Sequence, residues 1–126
     1  MTENEISKVI VDSAIEVHRT LGGPGLLESV YEEALVEELK GRGMQVERQL
    51  SVPIVYKDKT LGTPLRLDLK VNGTVLIDNK AVTEWNAIFE AQMLTYLRLT
   101  GLKLGLVINF GEQYMKNGIH RVVNGL

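Results

Sequence analysis

The chain contains no cysteine, which excludes a disulfide framework, a thiolate zinc site, an iron–sulfur cluster and a cysteine nucleophile. Imidazole is scarce as well, because His18 and His120 are the only histidines. A chain without thiols suits a reducing compartment. Any bound metal would be held mainly by oxygen ligands, and this favours Mg²⁺ or Mn²⁺ over zinc.

Long apolar segments are also missing. No window approaches the roughly 18 consecutive apolar residues of a membrane-spanning helix. The first residues, MTENE, are acidic where a secretory signal would be basic. We therefore expect a cytoplasmic protein that does not bind membranes.

Positive charge is rare in the first third of the chain. Residues 1–39 carry two basic and nine acidic side chains, whereas residues 40–126 carry twelve basic and seven acidic ones. The net charge of −2 argues against strong non-specific binding of nucleic acid by the whole molecule. The basic remainder of the chain could still contact a polyanion.

A length of 126 residues predicts a single domain over residues 1–126. Thr2 and Glu5 form a capping box before an apolar pattern of helical period that runs to about Thr20. A second amphipathic helix follows the glycine-rich turn at residues 22–25 and ends near residues 40–43. This turn lacks the Gly-Lys-Ser/Thr ending of a phosphate-binding loop, so a nucleoside triphosphatase is excluded.

The apolar period changes to two between Met44 and Lys80, with breaks at residues 57–59, near Gly62 and at residues 72–73. We expect three or four strands joined as a meander. Three further elements follow: a helix capped by Thr83 that runs through Thr100, a buried strand over residues 104–110, and a short turn with an edge strand at residues 119–123. This order of elements predicts an α/β fold, with a mixed sheet flanked by helices.

Two of the predicted strands carry an unusual set of charges. Arg66, Asp68 and Lys70 alternate with leucines, which we expect on the opposite face. Asp78 and Lys80 share a face of the next strand. One interpretation is a solvated ladder of ion pairs among these five side chains. The other is a phosphodiesterase site, because two carboxylates on adjacent strands can hold one or two Mg²⁺ ions beside a lysine that stabilises negative charge.

The hairpin between these strands tests the second interpretation. A two-residue turn at Asn72 and Gly73 would place Asp78 on the face of the sheet opposite Asp68. We therefore predict a three-residue connection or a glycine bulge, with paired residue numbers that sum to an even value. Asp68 would then lie beside Asp78.

Two further polar residues are candidates for the site. Gln92 lies within an apolar stripe of the last predicted helix, formed with Trp85, Ile88, Phe89, Tyr96 and Leu99. Its amide either bonds a strand carbonyl in the core or contacts lysine, water or substrate. Glu28 opens the second helix, where a carboxylate also favours the helix dipole. We expect Tyr31 and His18 to be packed residues.

Several segments together resemble a known family. Residues 25–31, GLLESVY, match the G-x-x-E-x-x-Y signature of the GxxExxY proteins, a branch of the PD-(D/E)xK nuclease superfamily. The resemblance covers nearly the whole chain. It extends to EVHR at residues 16–19, QLSVPIVYK at residues 49–57, AQMLTYL at residues 91–97 and GLVINFG at residues 105–111.

The resemblance implies a restriction-endonuclease-like core with a metal held by the meander. It places the superfamily's first aspartate at Asp68, the (D/E)xK pair at Asp78 and Lys80, and the first-helix glutamate at Glu28. Gln92, with Tyr96, resembles the Q-x-x-x-Y element of RecB-like nucleases. Three positions depart from the pattern: Leu67 replaces proline, Asp78 replaces the commoner glutamate, and Asn79 is polar where an apolar residue is usual.

Three functions remain open. The first is a nuclease that cuts phosphodiester bonds, of DNA rather than RNA, with Mg²⁺ or Mn²⁺ held by Asp68, Asp78, the Asn79 carbonyl and Glu28. In it, Lys80 and Gln92 complete the catalytic set. The second is a catalytically weak module that binds nucleic acid or protein, and the third is a structural oligomer. The small size favours a partner or a homo-oligomer.

Overall fold

The computed structural model describes all 126 residues. Three helices form: α1 over Glu3–Thr20, α2 over Glu28–Gly41 and α3 over Ile88–Thr100. The capping box of α1 is present as predicted, with the Glu5 N–H donating to Thr2 and the Thr2 N–H donating to Glu5. None of the helices is long and apolar enough to cross a membrane.

Seven strands accompany the helices. Their bounds are β1 Val46–Val52, β2 Val55–Tyr56, β3 Lys59–Thr60, β4 Leu65–Val71, β5 Val75–Lys80, β6 Leu104–Asn109 and β7 Ile119–Val123. Five of them form one sheet in the order β1-β4-β5-β6-β7, and β2 pairs only with β3. The predicted meander is therefore β1, β4 and β5. The region contains five strands where three or four were expected, because β2 and β3 form a separate hairpin.

The main sheet is mixed. Strands β5 and β6 are parallel, because α3 connects them across the sheet, and every other neighbouring pair is antiparallel. Helices α1 and α2 cover one face and α3 covers the other. This is the restriction-endonuclease-like architecture expected from the sequence. The predicted turn and edge strand at the end of the chain also form.

The start of α3 differs from the prediction, since Thr83 does not cap it and the helix begins at Ile88. After β5 the chain is held by the buried side chain of Asn109. It accepts from the Val82 N–H and donates to the Val82 carbonyl, both at 3.0 Å. The Asn86 side chain then accepts the Ile88 N–H at 2.9 Å, just before the helix.

Strand β4 does not keep its leucines on one face, which corrects the predicted alternation. Leu67 packs with α3, whereas Leu69 packs with α1 and α2 on the other face. The face changes at Asp68, which lies opposite Gln49 in the register of β1. Gln49 has a φ of 50°, a left-handed conformation that is unusual for a residue other than glycine. The candidate site therefore lies at a local distortion of two adjacent strands.

Candidate active site

The β4–β5 hairpin has the predicted register. Val71 pairs with Val75 and Leu69 with Ile77, so the numbers of paired residues sum to an even value. Three residues, 72–74, connect the strands, and Asn72 and Gly73 adopt left-handed backbone conformations there. The same register sets Asp68 level with Asp78. The geometric condition for a shared carboxylate site is therefore met.

Asp68 and Asp78 lie on adjacent strands, and Asp78 is close enough to affect the pKa of Asp68. The Asn79 backbone N–H also donates to Asp68 Oδ2 at 2.8 Å. Burial, together with the neighbouring Asp78, raises the pKa of Asp68 to about 6. Two adjacent, partly buried carboxylates are stabilised when either a proton or a cation lies between them.

Lys80 lies beside this pair. Its Nζ is 3.5 Å from Asp78 Oδ2 and 4.6 Å from the centre of the Phe89 ring. The five-charge ladder does not form, because Lys70 pairs with Glu47 instead and Arg66 forms no ion pair. Asp78 and Lys80 thus make a local, largely buried pair at the end of β5.

Glu28 approaches the site from α2, of which it is the first residue. Burial raises the pKa of its carboxyl, the charge of Asp68 raises it further, and Lys80 opposes the shift. Glu28 therefore faces the pair formed on the sheet. No group of three or more acidic or histidine side chains is close enough to hold a metal alone, so Glu28 does not complete a three-carboxylate cage.

The G-x-x-E-x-x-Y signature has a structural explanation. Gly25 has a φ of 119°, which lies in the region that favours glycine. The hydroxyl of the buried Tyr31 donates to the Gly23 carbonyl at 2.7 Å and accepts the Leu26 N–H at 3.2 Å. The Tyr31 hydroxyl thus holds the loop in place one turn from Glu28. The expectation that Tyr31 is a packed residue is confirmed. Its ring stacks on Phe110 at 4.7 Å.

A buried carboxylate next to the site was not singled out from the sequence. Glu32, one turn after Glu28, accepts from Arg48 at 2.9 Å and from the Gln49 amide at 3.0 and 3.1 Å. Adjacent strand residues usually point to opposite faces, but Gln49 and Arg48 reach the same carboxylate because Gln49 is left-handed. The i, i+4 spacing from Glu28 was the only local signal for Glu32.

The predicted stripe on α3 is partly wrong. Gln92 is exposed and so are Ile88 and Leu99, because Met93 and Leu97 supply the buried face of the helix. Gln92 is therefore not a core amide. With Leu65, Thr95 and Tyr96 it lines a pocket of about 120 Å³. Burial raises the pKa of Tyr96, and the charges of Asp78 and Asp68 add to the effect, so this tyrosine faces the carboxylate pair.

Asn79 lies fully buried, as its place on the opposite face from Asp78 predicted. Neither atom of its side-chain amide has a hydrogen-bond partner within the protein. Only its backbone contacts the site, through the N–H bond to Asp68. His18 is packed as expected, with Nε2 2.8 Å from the Glu112 carbonyl oxygen.

The oxygen ligands present fit a hard divalent cation. Mg²⁺ is commonly bound by one or two carboxylates and completes its coordination with water and substrate oxygens. Asp68 and Asp78 provide two such carboxylates, and the pKa of Asp68 is raised first by burial and then by the neighbouring Asp78. The donor set contains neither thiolate nor imidazole, in keeping with a hard cation rather than zinc.

Comparison with known proteins gives one family. The family model of the PD-(D/E)XK nuclease superfamily matches residues 4–122. No curated protein and no solved structure matched the chain. Nucleases of this superfamily generally use divalent metal ions and bind nucleic acid. Because the match covers nearly the whole sequence and the sheet has the corresponding architecture, the chain belongs to the PD-(D/E)XK nuclease superfamily.

Proposed function

We propose that this protein is a metal-dependent nuclease that hydrolyses phosphodiester bonds, with DNA as the favoured substrate over RNA. The observation that carries the proposal is the pair of Asp68 and Asp78 on adjacent strands, with Lys80 3.5 Å from Asp78. We further propose that the chain is a member of the GxxExxY branch, which the G-x-x-E-x-x-Y signature at residues 25–31 supports. The lack of cysteine supports a reducing compartment such as the cytoplasm.

Each residue has a defined part in this proposal. Asp68, Asp78 and the Asn79 carbonyl would hold Mg²⁺ or Mn²⁺, and Glu28 would act through a water. A bound divalent cation supplies Lewis-acid polarisation of the phosphate and a more acidic water. The ammonium group of Lys80 stabilises the negative charge that develops on the phosphate. Gln92, at the rim of its pocket, contacts the substrate.

Lys80 and Lys70 form a matched pair for testing the proposal. Both are partly buried lysines on neighbouring strands, and each lies within 4 Å of one carboxylate, at 3.5 Å for Lys80 and 3.9 Å for Lys70. Lys80→Ala should lower the single-turnover cleavage rate of a DNA oligonucleotide by about a hundredfold or more, because a positive charge at the reacting phosphate is lost. Lys70→Ala should leave the rate near that of the wild type.

Metal binding is measured on the same proteins by calorimetric titration with Mg²⁺ and Mn²⁺. We expect Lys80→Ala to retain or strengthen binding, since a neighbouring positive charge is removed, and Asp68→Ala to abolish it. Equal cleavage rates for the two lysine variants would remove Lys80 from the mechanism. Metal binding without cleavage by the wild type would favour the catalytically weak binding module instead.

A further inference from the structure

The β2–β3 hairpin, which we call the arm (residues 53–64), stands apart from the main sheet. Its backbone hydrogen bonds stay within the arm, including the Leu61 N–H to the Ile54 carbonyl at 2.8 Å. Every residue from Val55 to Pro64 is exposed. No other part of this chain therefore covers the arm, although a two-stranded hairpin alone is only marginally stable in water.

The arm leaves the sheet at the end where the candidate active site lies. It connects Val52 of β1 to Leu65 of β4, which pair with each other. Leu65 also lines the small pocket that contains Gln92 and Tyr96. Arg66, two residues before Asp68, is exposed at the base of the arm. A substrate bound at the carboxylate pair would therefore pass close to the arm.

The chemistry of the arm suits a polyanion. Lys57 and Lys59 on the arm and Arg66 at its base form no ion pair, whereas Arg48, Lys70 and Lys80 on β1, β4 and β5 each have an acidic partner. The side chain of Tyr56 is exposed, with Lys57 Nζ 5.5 Å from the centre of its ring. The active-site carboxylates repel phosphate, so a nucleic acid needs uncompensated positive charge beside them.

We propose that the arm binds a single-stranded segment of the nucleic-acid substrate next to the candidate active site. Tyr56 stacks on a base, and Lys57, Lys59 and Arg66 contact the phosphates of the same strand. An exposed aromatic ring among cations is the usual arrangement in proteins that bind single strands, because unpaired bases offer their faces for stacking. This inference rests on the proposed function and defines the substrate class of that site.

Fluorescence anisotropy in EDTA measures binding without cleavage. The probe is a labelled oligothymidylate of about 20 nucleotides, compared with a DNA duplex of the same length. We expect Tyr56→Ala to weaken single-strand binding about five- to 150-fold, the usual effect of losing a stacked base, and Tyr56→Phe to retain it. Tyr114→Ala is the matched control, because Tyr114 is 62% exposed and Tyr56 is 60% exposed.

The contribution of the arm lysines to binding is tested by varying the salt concentration. Replacing Lys57 and Lys59 together by alanine should reduce the slope of log K against log salt by about 1.4, since each phosphate contact on a single strand contributes about 0.7. Lys103 and Lys116, two exposed lysines outside the arm, provide the matched double variant, whose slope should not change. Thermal melting checks that each variant is folded.

Three results would overturn the inference. They are wild-type binding that the arm variants do not weaken, an equal loss of duplex and single-strand binding in Tyr56→Ala, and a dimer that Tyr56→Ala dissociates while oligonucleotide binding is unchanged. Light scattering measures whether the wild type is a dimer and whether Tyr56→Ala dissociates it. Cleavage is measured separately with Mg²⁺. If the arm binds the oligonucleotide as expected but no cleavage occurs, the proposed nuclease activity is wrong and the inference about the arm is retained.

Discussion

At the scale of single residues, Asp68 is the group whose ionisation the fold changes most clearly. Its pKa rises from 3.8 to about 6 because the carboxyl is partly buried and lies beside Asp78. The folded protein therefore binds this proton more tightly than the unfolded chain does. The resulting stabilisation is fully present below about pH 3.8 and is lost as the pH rises through about 6.

This predicts a pH-dependent effect of Asp68→Asn in the metal-free protein. The amide keeps an oxygen for the Asn79 N–H but carries no charge, so the variant should melt at a higher temperature than the wild type at about pH 8. The difference should vanish near pH 4, where Asp68 is protonated. Differential scanning calorimetry in EDTA measures it.

The exposed Asp58 supplies the control, because Asp58→Asn should show no such pH-dependent gain. Adding Mg²⁺ should raise the melting temperature of the wild type and reduce the advantage of the Asp68 variant. Equal melting temperatures of wild type and Asp68→Asn at about pH 8 would contradict the electrostatic description of the pair.

At the scale of elements, the contact of Glu32 with Arg48 and Gln49 ties α2 to β1 at the distorted point of the sheet. Glu32 also raises the pKa of Glu28, which shows that the two carboxylates of α2 are close. The tie fixes the helix that carries Glu28 against the strands next to Asp68. To form the contact with Glu32, Gln49 adopts a left-handed backbone conformation, which costs about 1–3 kcal/mol.

Two substitutions separate the amide of Gln49 from its backbone conformation. Gln49→Ala loses the hydrogen bonds to Glu32 and keeps the strain, so it should lower the free energy of unfolding by about 1–3 kcal/mol. Gln49→Gly loses the same bonds but relieves the strain, and should be about 1 kcal/mol more stable than Gln49→Ala. Urea denaturation measures both. The exposed Gln113→Ala is the control, and equal stabilities of the two Gln49 variants would refute the claim of strain.

At the scale of the whole molecule, the two faces of the sheet have unequal cores. The cluster under α1 and α2 contains 17 buried residues, whereas the cluster under α3 contains six. Hydrophobic stabilisation follows the apolar area buried, so α3 is held less strongly than the other two helices. This helix carries Gln92 and Tyr96, so the side of the sheet that we propose faces the substrate is the side that opens more easily.

Leu35 and Leu97 test this asymmetry, because both are fully buried leucines, one in each cluster. Leu35→Ala should lower the free energy of unfolding by about 2–5 kcal/mol, and Leu97→Ala by less, since α3 can shift to fill the cavity. Native-state hydrogen exchange should show α3 exchanging before β5 and β6 in the wild type. Leu97→Ala should accelerate exchange mainly in α3. Uniform acceleration across the fold would contradict the asymmetry.

Features with local causes could be predicted from the sequence. The capping box, the glycine-rich stop after α1 and the alternation of β5 depend on neighbours within a few residues. The three-residue hairpin followed from one added condition, that Asp68 and Asp78 share a site. The start of α3 was predicted wrongly, because the Asn86 side chain, and not that of Thr83, accepts a backbone N–H where the helix begins.

Sequence patterns were enough to predict the three helices, the strands of the meander and the two carboxylates that can meet across a hairpin. The packing of separate elements was needed to show that Glu28 lies near Asp68, that Glu32 is bound by Arg48 and Gln49, and that Gln92 is exposed. The physical reason is the distance along the chain over which each interaction acts. Period and capping act within one element, whereas burial, pKa shifts and contacts between α2 and β1 depend on how separate elements pack.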